Sequence, residues 1–364
     1  MMDYRSRIIT YGELRKGFVV ENDKYDVVSY EYEARRKAFL SNPAGPEDSE
    51  PFMFLALDGD IPVGRNMFFK TRLKVDNKII VAHTGSSFHV EEEYRKEGVG
   101  GFIFWDAREL NLVPSLAAGV SDDAIVLFRR MKHYIFEFPR MMHLNDVKPL
   151  LGKKGLRGLP LTVVSNVGNV ALRCYYGMLR LFCHTPKGYT VRQLDEVPEW
   201  VNEITMNDGH KYGEVHDQLW LQWCLDNKFT SDKRDGQAFY AVYQGEKSVG
   251  FFMTKVRYRD ELKGMHNVVL GSIVEWGVVK GCPLREIDLY QMALRTFSNE
   301  VSIIQAASND KETIKGLKRS GFFHQGDHRI TFKETLGKKN KTLLDASDET
   351  LWRLRFGYAD LILF

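Results

Sequence analysis

Hydrophobic and polar positions divide the chain into two runs of elements in the same order. In the first, Phe52-Met53-Phe54-Leu55-Ala56-Leu57, the turn Asp58-Gly59-Asp60 and Ile61-Pro62-Val63-Gly64 predict a β-hairpin. Lys78 to Ala82 is a β-branched strand, and Phe102, Ile103, Trp105 and Leu110 recur at helical spacing from a start near Gly100. Leu116 to Ser121 predicts a further strand, Asp122 to His133 a helix with aspartate caps, and Pro139 to Leu144 another strand. An amphipathic helix over Ser29 to Leu40 precedes all of this, followed by the acidic Pro/Gly loop Ser41 to Glu50.

The order begins again at Tyr189. Tyr189 to Leu194 predicts a strand, with a helix start at Asp195 and Pro198. Ala238 to Tyr243, the turn Gln244 to Lys247 and Ser248 to Phe252 repeat the hairpin, down to the closing Val-Gly of Val63-Gly64 and Val249-Gly250. Val268 to Val279, Leu284 to Phe297, Ser302 to Ala307 and Lys311 to Ser320 then predict strand, helix, strand and helix, ending in Gly321-Phe322. Between the runs, Asn169 to Phe182 has apolar residues at helical spacing. It is read as a connector packed on the domains, with an amphipathic membrane-surface helix as the alternative. The fold class is therefore α/β (α+β) with mixed sheets. The predicted division is 1–149, a helical connector 150–188, and 189–364.

A chain of 364 residues with 44% hydrophobic content can bury two cores. A net charge of +3 is too mild to suggest nucleic acid as a main partner, and the lysines at Lys153-Lys154 and Lys338-Lys339 read as solvated loops. Cys174, Cys183, Cys224 and Cys282 are too scattered for a metal motif or a disulfide framework, and no metal is expected. No secretory leader or membrane-spanning run is legible, so the expected location is the cytoplasm.

The most informative stretch is Val90-Glu91-Glu92-Glu93-Tyr94-Arg95-Lys96-Glu97-Gly98-Val99-Gly100-Gly101, where a strand passes through glycines into a helix start. Such a turn offers unpaired N–H groups and a helix dipole to an anion. Arg95-x-x-Gly98-x-Gly100, with Val90 and Tyr94, resembles the pyrophosphate loop of the GCN5-related N-acetyltransferase superfamily. Asn309, Gly321 and Phe322 resemble that superfamily's helix after its fifth strand, which implies two tandem domains of the acyl-CoA acyltransferase fold.

The resemblance implies acetyl-CoA, or another acyl-CoA, held by Val90, Arg95, Lys96, Glu97, Gly98, Val99, Gly100 and Gly101. In the second half Val279-Lys280-Gly281-Cys282-Pro283-Leu284-Arg285 lacks the spaced glycines, and Pro283 removes a donor amide. The superfamily places a Glu on its fourth strand and a Tyr on the helix after the fifth. Here Thr84 to His89 holds no carboxylate, and Phe128 stands in the tyrosine's place. His89 and Glu275 remain as candidate bases, Glu275 because a carboxylate amid Ile273, Val274 and Trp276 is expected to have a raised pKa.

The implied activity is N-acyl transfer to a small-molecule amine. The segment from Trp352 to Leu361 resembles the tail of two-domain acetyltransferases of cell-surface polysaccharide genes, which tilts the acceptor toward an amino sugar. The alternatives are a non-catalytic acyl-CoA-binding or regulatory protein, and an aminoacyl-tRNA-dependent peptidyltransferase-like enzyme.

Overall fold

The first run of elements is β1 (Tyr4–Thr10), α1 (Tyr11–Arg15), α2 (Tyr32–Leu40), β2 (Pro51–Asp58), β3 (Ile61–Val75), β4 (Lys78–Val90), α3 (Val99–Glu109), β5 (Ser115–Ala118), α4 (Asp122–Arg130) and β6 (Tyr134–Leu144). Helices α5 (Lys148–Lys153) and α6 (Gly158–Phe182) follow. The second run is β7 (Tyr189–Leu194), α7 (Val201–Met206), β8 (Tyr212–Glu214), α8 (Gln218–Asp226), β9 (Gly236–Gln244), β10 (Lys247–Leu262), β11 (Met265–Val278), α9 (Glu286–Thr296), β12 (Ile303–Ala307), α10 (Lys311–Arg319) and β13 (Phe323–Lys333). The computed structural model describes residues 4–17, 32–76, 78–109, 114–182, 187–227, 232–334 and 345–358. The expectations on Ser29 to Glu31, Leu110, Cys183, Lys338-Lys339 and Ala359 to Leu361 lie outside the described residues.

The hairpins form where the alternation predicts them. In each half a two-residue turn contains a glycine at positive φ, Gly59 at 61° and Gly245 at 62°. The repeated Val-Gly has a packing cause. A Cβ on Gly64 would lie 2.9 Å from Ile103 of α3, and one on Gly250 2.8 Å from the Gly277 carbonyl and 3.3 Å from Leu284, beside α9. Each glycine lets a helix lie close on its hairpin. The cap of α4 differs from expectation: Ser121 accepts from the Ala124 amide, and Asp122 and Asp123 occupy the first turn, where they complement the dipole.

Among the described residues, all thirteen strands belong to one sheet, in the order β1-β2-β3-β4-β5-β13-β6-β12-β11-β10-β9-β7, with β8 paired to β3. Its centre joins the halves by exchange. Strand β13, from the end of the second run, lies between β5 and β6; β6, from the end of the first, lies between β13 and β12. The pairs β5–β13, β13–β6 and β6–β12 are all antiparallel, so β5 and β12 point in opposite directions. The equivalent ends of the two halves therefore open at opposite edges of the sheet. One apolar cluster spans both, including Phe52 and Leu73 from the first run and Phe251 and Val274 from the second, with Trp352 of the C-terminal segment. Each fully buried side chain of this size contributes about 1.5–3 kcal/mol, so the two halves depend on one another for much of their stability.

Candidate functional site

Strand β4 leads into the glycine loop, and the local contacts hold that loop rigidly. The Glu91 amide donates to the Val63 carbonyl (2.9 Å), and the Tyr94 hydroxyl donates to the Asp58 carboxylate at the hairpin turn (2.9 Å). Arg95 turns back, its Nε donating to the Val90 carbonyl at 3.0 Å. Gly98 takes φ of 84°, a conformation that costs an L side chain roughly 1–2 kcal/mol, and α3 begins one residue later. The first-turn amides of that helix have no partner within it, which leaves them available to an anion.

Six of the eight residues implied as cofactor-binding line one open cavity of about 750 Å³: Val90, Arg95, Lys96, Gly98, Gly100 and Gly101. The structure places Val99 elsewhere, fully buried with Ile103 beneath the hairpin, and Glu97 is outside the lining. Arg130 from the last turn of α4 faces the loop across the cavity, so Lys96 and Arg130 supply cations beside the amides. His89 also lines it. Its Nε2 lies 3.2 Å from the Glu91 carboxylate. A carboxylate only accepts, so Nε2 carries the proton and Nδ1 of a neutral ring is the free base.

An inner cavity of about 300 Å³ continues from this one, the two sharing Phe88, Ser121 and Ala124. It exists because β4 and β5 pair only over His83–Gly85 and Ser115–Ala117 and then part. Its walls are largely apolar, with Phe68, Phe88, Phe104 and Phe128. On its floor the β3–β4 ladder is broken by a bulge: Arg65 faces His89 and Met67 faces Ser86, leaving Asn66 opposite Ser87 and Phe88, with Ser87 at φ of 52°. Asn66 is 1% exposed, and neither its amide oxygen nor its nitrogen has a hydrogen-bond partner among the described residues. Its chain position gave no hint of this, since β3 carries several polar residues, Arg65 beside it and Lys70 to Arg72 farther on. His133 lies on the same wall, and burial pushes its imidazole down to about 3, with the Lys333 charge adding to the effect. It is a neutral ring at any ordinary pH.

The corresponding wedge of the second half is narrowed by the protein's own tail. Strands β11 and β12 pair over Leu270–Ser272 and Ile303–Gln305 and then diverge, but the C-terminal segment enters there, Arg355 bridging to Ser308. The Arg355 guanidinium donates to the Trp276 carbonyl and lies 4.0 Å over the Trp276 ring. The cavity of about 500 Å³ left at this end is lined by Glu203, Asp208, Glu286 and Asp310 and also by Lys280, Arg353, Arg355 and His210. Arg353 and Arg355 are paired there with Asp208 (3.4 Å) and Glu286 (3.6 Å), and the spaced glycines of the first-half loop are missing.

Glu275 lies within this junction, fully buried. Its carboxylate accepts from Arg353, Arg355, the Trp276 amide and Nδ1 of His216, whose Nε2 is 3.0 Å from Glu214. The expectation of a raised pKa is corrected here. Burial does push the carboxyl upward, but the Arg353 and Arg355 charges and His216 outweigh it and hold it well below the usual range. Burial pushes His216 down, and hydrogen bonds to Glu214 and Glu275 more than reverse that, so its net shift is upward. The structure brings His89 to the cavity beside the glycine loop and places Glu275 in an ion cluster outside the lining of both first-half cavities.

No family model matches the chain, and no curated protein matches it in sequence. Solved structures match it in fold. N-myristoyltransferase of Saccharomyces cerevisiae with bound myristoyl-CoA aligns with a TM-score of 0.55 at 12% identity, over 92% of this chain and 84% of that one. A conserved protein of unknown function from Enterococcus faecalis V583 gives 0.54 at 13% identity, over 94% and 75%. A GCN5-related N-acetyltransferase from Anabaena variabilis gives 0.52 at 7% identity, over 92% and 73%. Identities this low carry the architecture alone, and that architecture is the tandem GCN5-related N-acetyltransferase fold, its two halves joined in one sheet.

Proposed function

We propose that the chain is an acyl-CoA-dependent N-acyltransferase whose donor enters the first half and whose acceptor is a small-molecule amine. The observation that carries this is the contrast between the wedges. The first opens onto the glycine loop, while the second has no such loop and is narrowed by the protein's own tail. Acetyl-CoA or another acyl-CoA, when bound, supplies an acyl carbon activated as a thioester. The amides after Gly98, with Lys96 and Arg130, hold its diphosphate, and the inner cavity takes the pantetheine arm and acyl group.

The side chains then divide the work. Asn66 offers an amide to a polar group on the cavity floor, where its own hydrogen bonds are otherwise unmade. His89, oriented by Glu91 in the outer cavity, takes the proton of the ammonium on its way in. The free amine then bonds to the acyl carbon in the inner cavity as the carbon–sulfur bond breaks, and coenzyme A leaves as the thiol, taking up the second proton that nitrogen loses. Glu275 is assigned the junction rather than the proton, because every approach to its carboxylate is filled. An amino sugar is the first acceptor to test, followed by amino acids and polyamines.

Thiol release from acetyl-CoA and longer acyl-CoAs, screened against those amines, tests the reading. His89→Gln should lower kcat by about 10²–10⁴-fold with little change in donor affinity. Donor binding without thiol release, whatever the amine, would make the chain a binding or regulatory module instead.

A further inference from the structure

Helix α6 spans 25 residues and presents two unlike faces. The inner one is anchored. Ser165 is buried, Tyr176 stacks on His143 at 4.1 Å and donates to the Leu144 carbonyl, and Asn169 accepts from the Val147 amide at 3.0 Å. The outer one is an apolar stripe. Leu159, Val163, Val167, Val170, Met178 and Leu181, at intervals of three, four or eight residues, are 77%, 53%, 67%, 58%, 57% and 79% exposed. This is a convex helix surface about 37 Å long, not a groove.

Charge decides what fits it. From Val147 to Leu194 the chain has eight lysines and arginines and no aspartate or glutamate, a charge of +8 in a protein whose total is +3. Lys153, Lys154 and Arg157 stand exposed at the helix start, and Arg173 is exposed along its flank. A second copy would bring two such positive fields together. No described helix is long and apolar enough to cross a membrane. An apolar stripe bordered by cations and free of acids matches an anionic bilayer, with the helix lying in the interface.

We infer that the outer face of α6 docks this protein on an anionic lipid surface. The inference is independent of the acyl-transfer reading, because it uses none of the residues of that site. The full chain is floated with vesicles of phosphatidylcholine alone, and of phosphatidylcholine with phosphatidylglycerol. The expected result is flotation with the anionic vesicles, reversed by high salt, and little with the neutral ones. Neutralising Lys153, Lys154 and Arg157 to Gln should weaken binding on the order of a hundredfold, about fivefold for each charge. Val167→Asp with Val170→Asp should weaken it at least about tenfold without changing thermal unfolding, since both side chains are largely solvent-exposed.

Wild type that fails to float with anionic vesicles, or floats equally with both kinds, overturns the assignment. So does an Asp double variant that floats like wild type. A wild type that ignores vesicles and sediments as a dimer, with the double variant monomeric, would put a second copy on this face and also reject the lipid.

Discussion

A Cβ placed on Gly100 would lie 3.1 Å from Cζ of Phe88, the aromatic ring shared by the outer and inner parts of the first-half cavity. The glycine thus sets where the ring stands as well as how near a ligand can come. Gly100→Ala should move the ring by a few tenths of an ångström and reduce donor affinity, with little effect on stability. Gly98→Ala meets no neighbour but holds φ of 84°, so it should lower unfolding stability by roughly 1–2 kcal/mol. Chemical denaturation and donor titration of the two variants separate the effects.

Replacing Asn66 by Leu should have opposite effects on stability and turnover. Both atoms of its buried amide lack a partner among the described residues, and an apolar group there removes a desolvation cost of about 1–3 kcal/mol. Thermal unfolding should therefore be unchanged or shifted upward, while kcat falls. A parallel loss of both would make Asn66 a packing residue only.

Glu275→Gln should show itself in folding before it shows in rate. It leaves Arg353 and Arg355 in the junction without their shared counter-charge, a loss of about 3–5 kcal/mol for a broken buried pair. Denaturant unfolding measures it, with acyl-CoA affinity of the folded fraction near wild type.

His216 links that cluster to pH. Its folded pKa is raised above the ordinary 6.5, so its contribution is fully present below 6.5 and is lost as pH rises through the folded value. Unfolding free energy measured from pH 6 to 9 should therefore fall with rising pH, and His216→Gln should flatten that slope. Glu275 acts in the opposite direction, its folded pKa being depressed, and its contribution disappears only in strong acid.

How far the sequence could be read depended on how local the causes were. The hairpin at Asp58-Gly59 and the loop at Gly98 follow from backbone demands within a few residues, and both were legible. Strand β13 was not, because it pairs with β5 and β6 of the other half, some two hundred residues earlier. The expectation for Glu275 inverted for the same reason. Its apolar neighbours are adjacent in the chain, but the arginines that decide its charge are 78 and 80 residues away.

Calorimetric titration of acetyl-CoA into wild type and Gly98→Glu tests the central claim most directly, that the open first-half wedge alone takes the donor. The expected result is one site per chain in wild type and no measurable binding in the variant, where a carboxylate meets the diphosphate at a strained position. Two equal sites per chain, or unchanged affinity in Gly98→Glu, would contradict it.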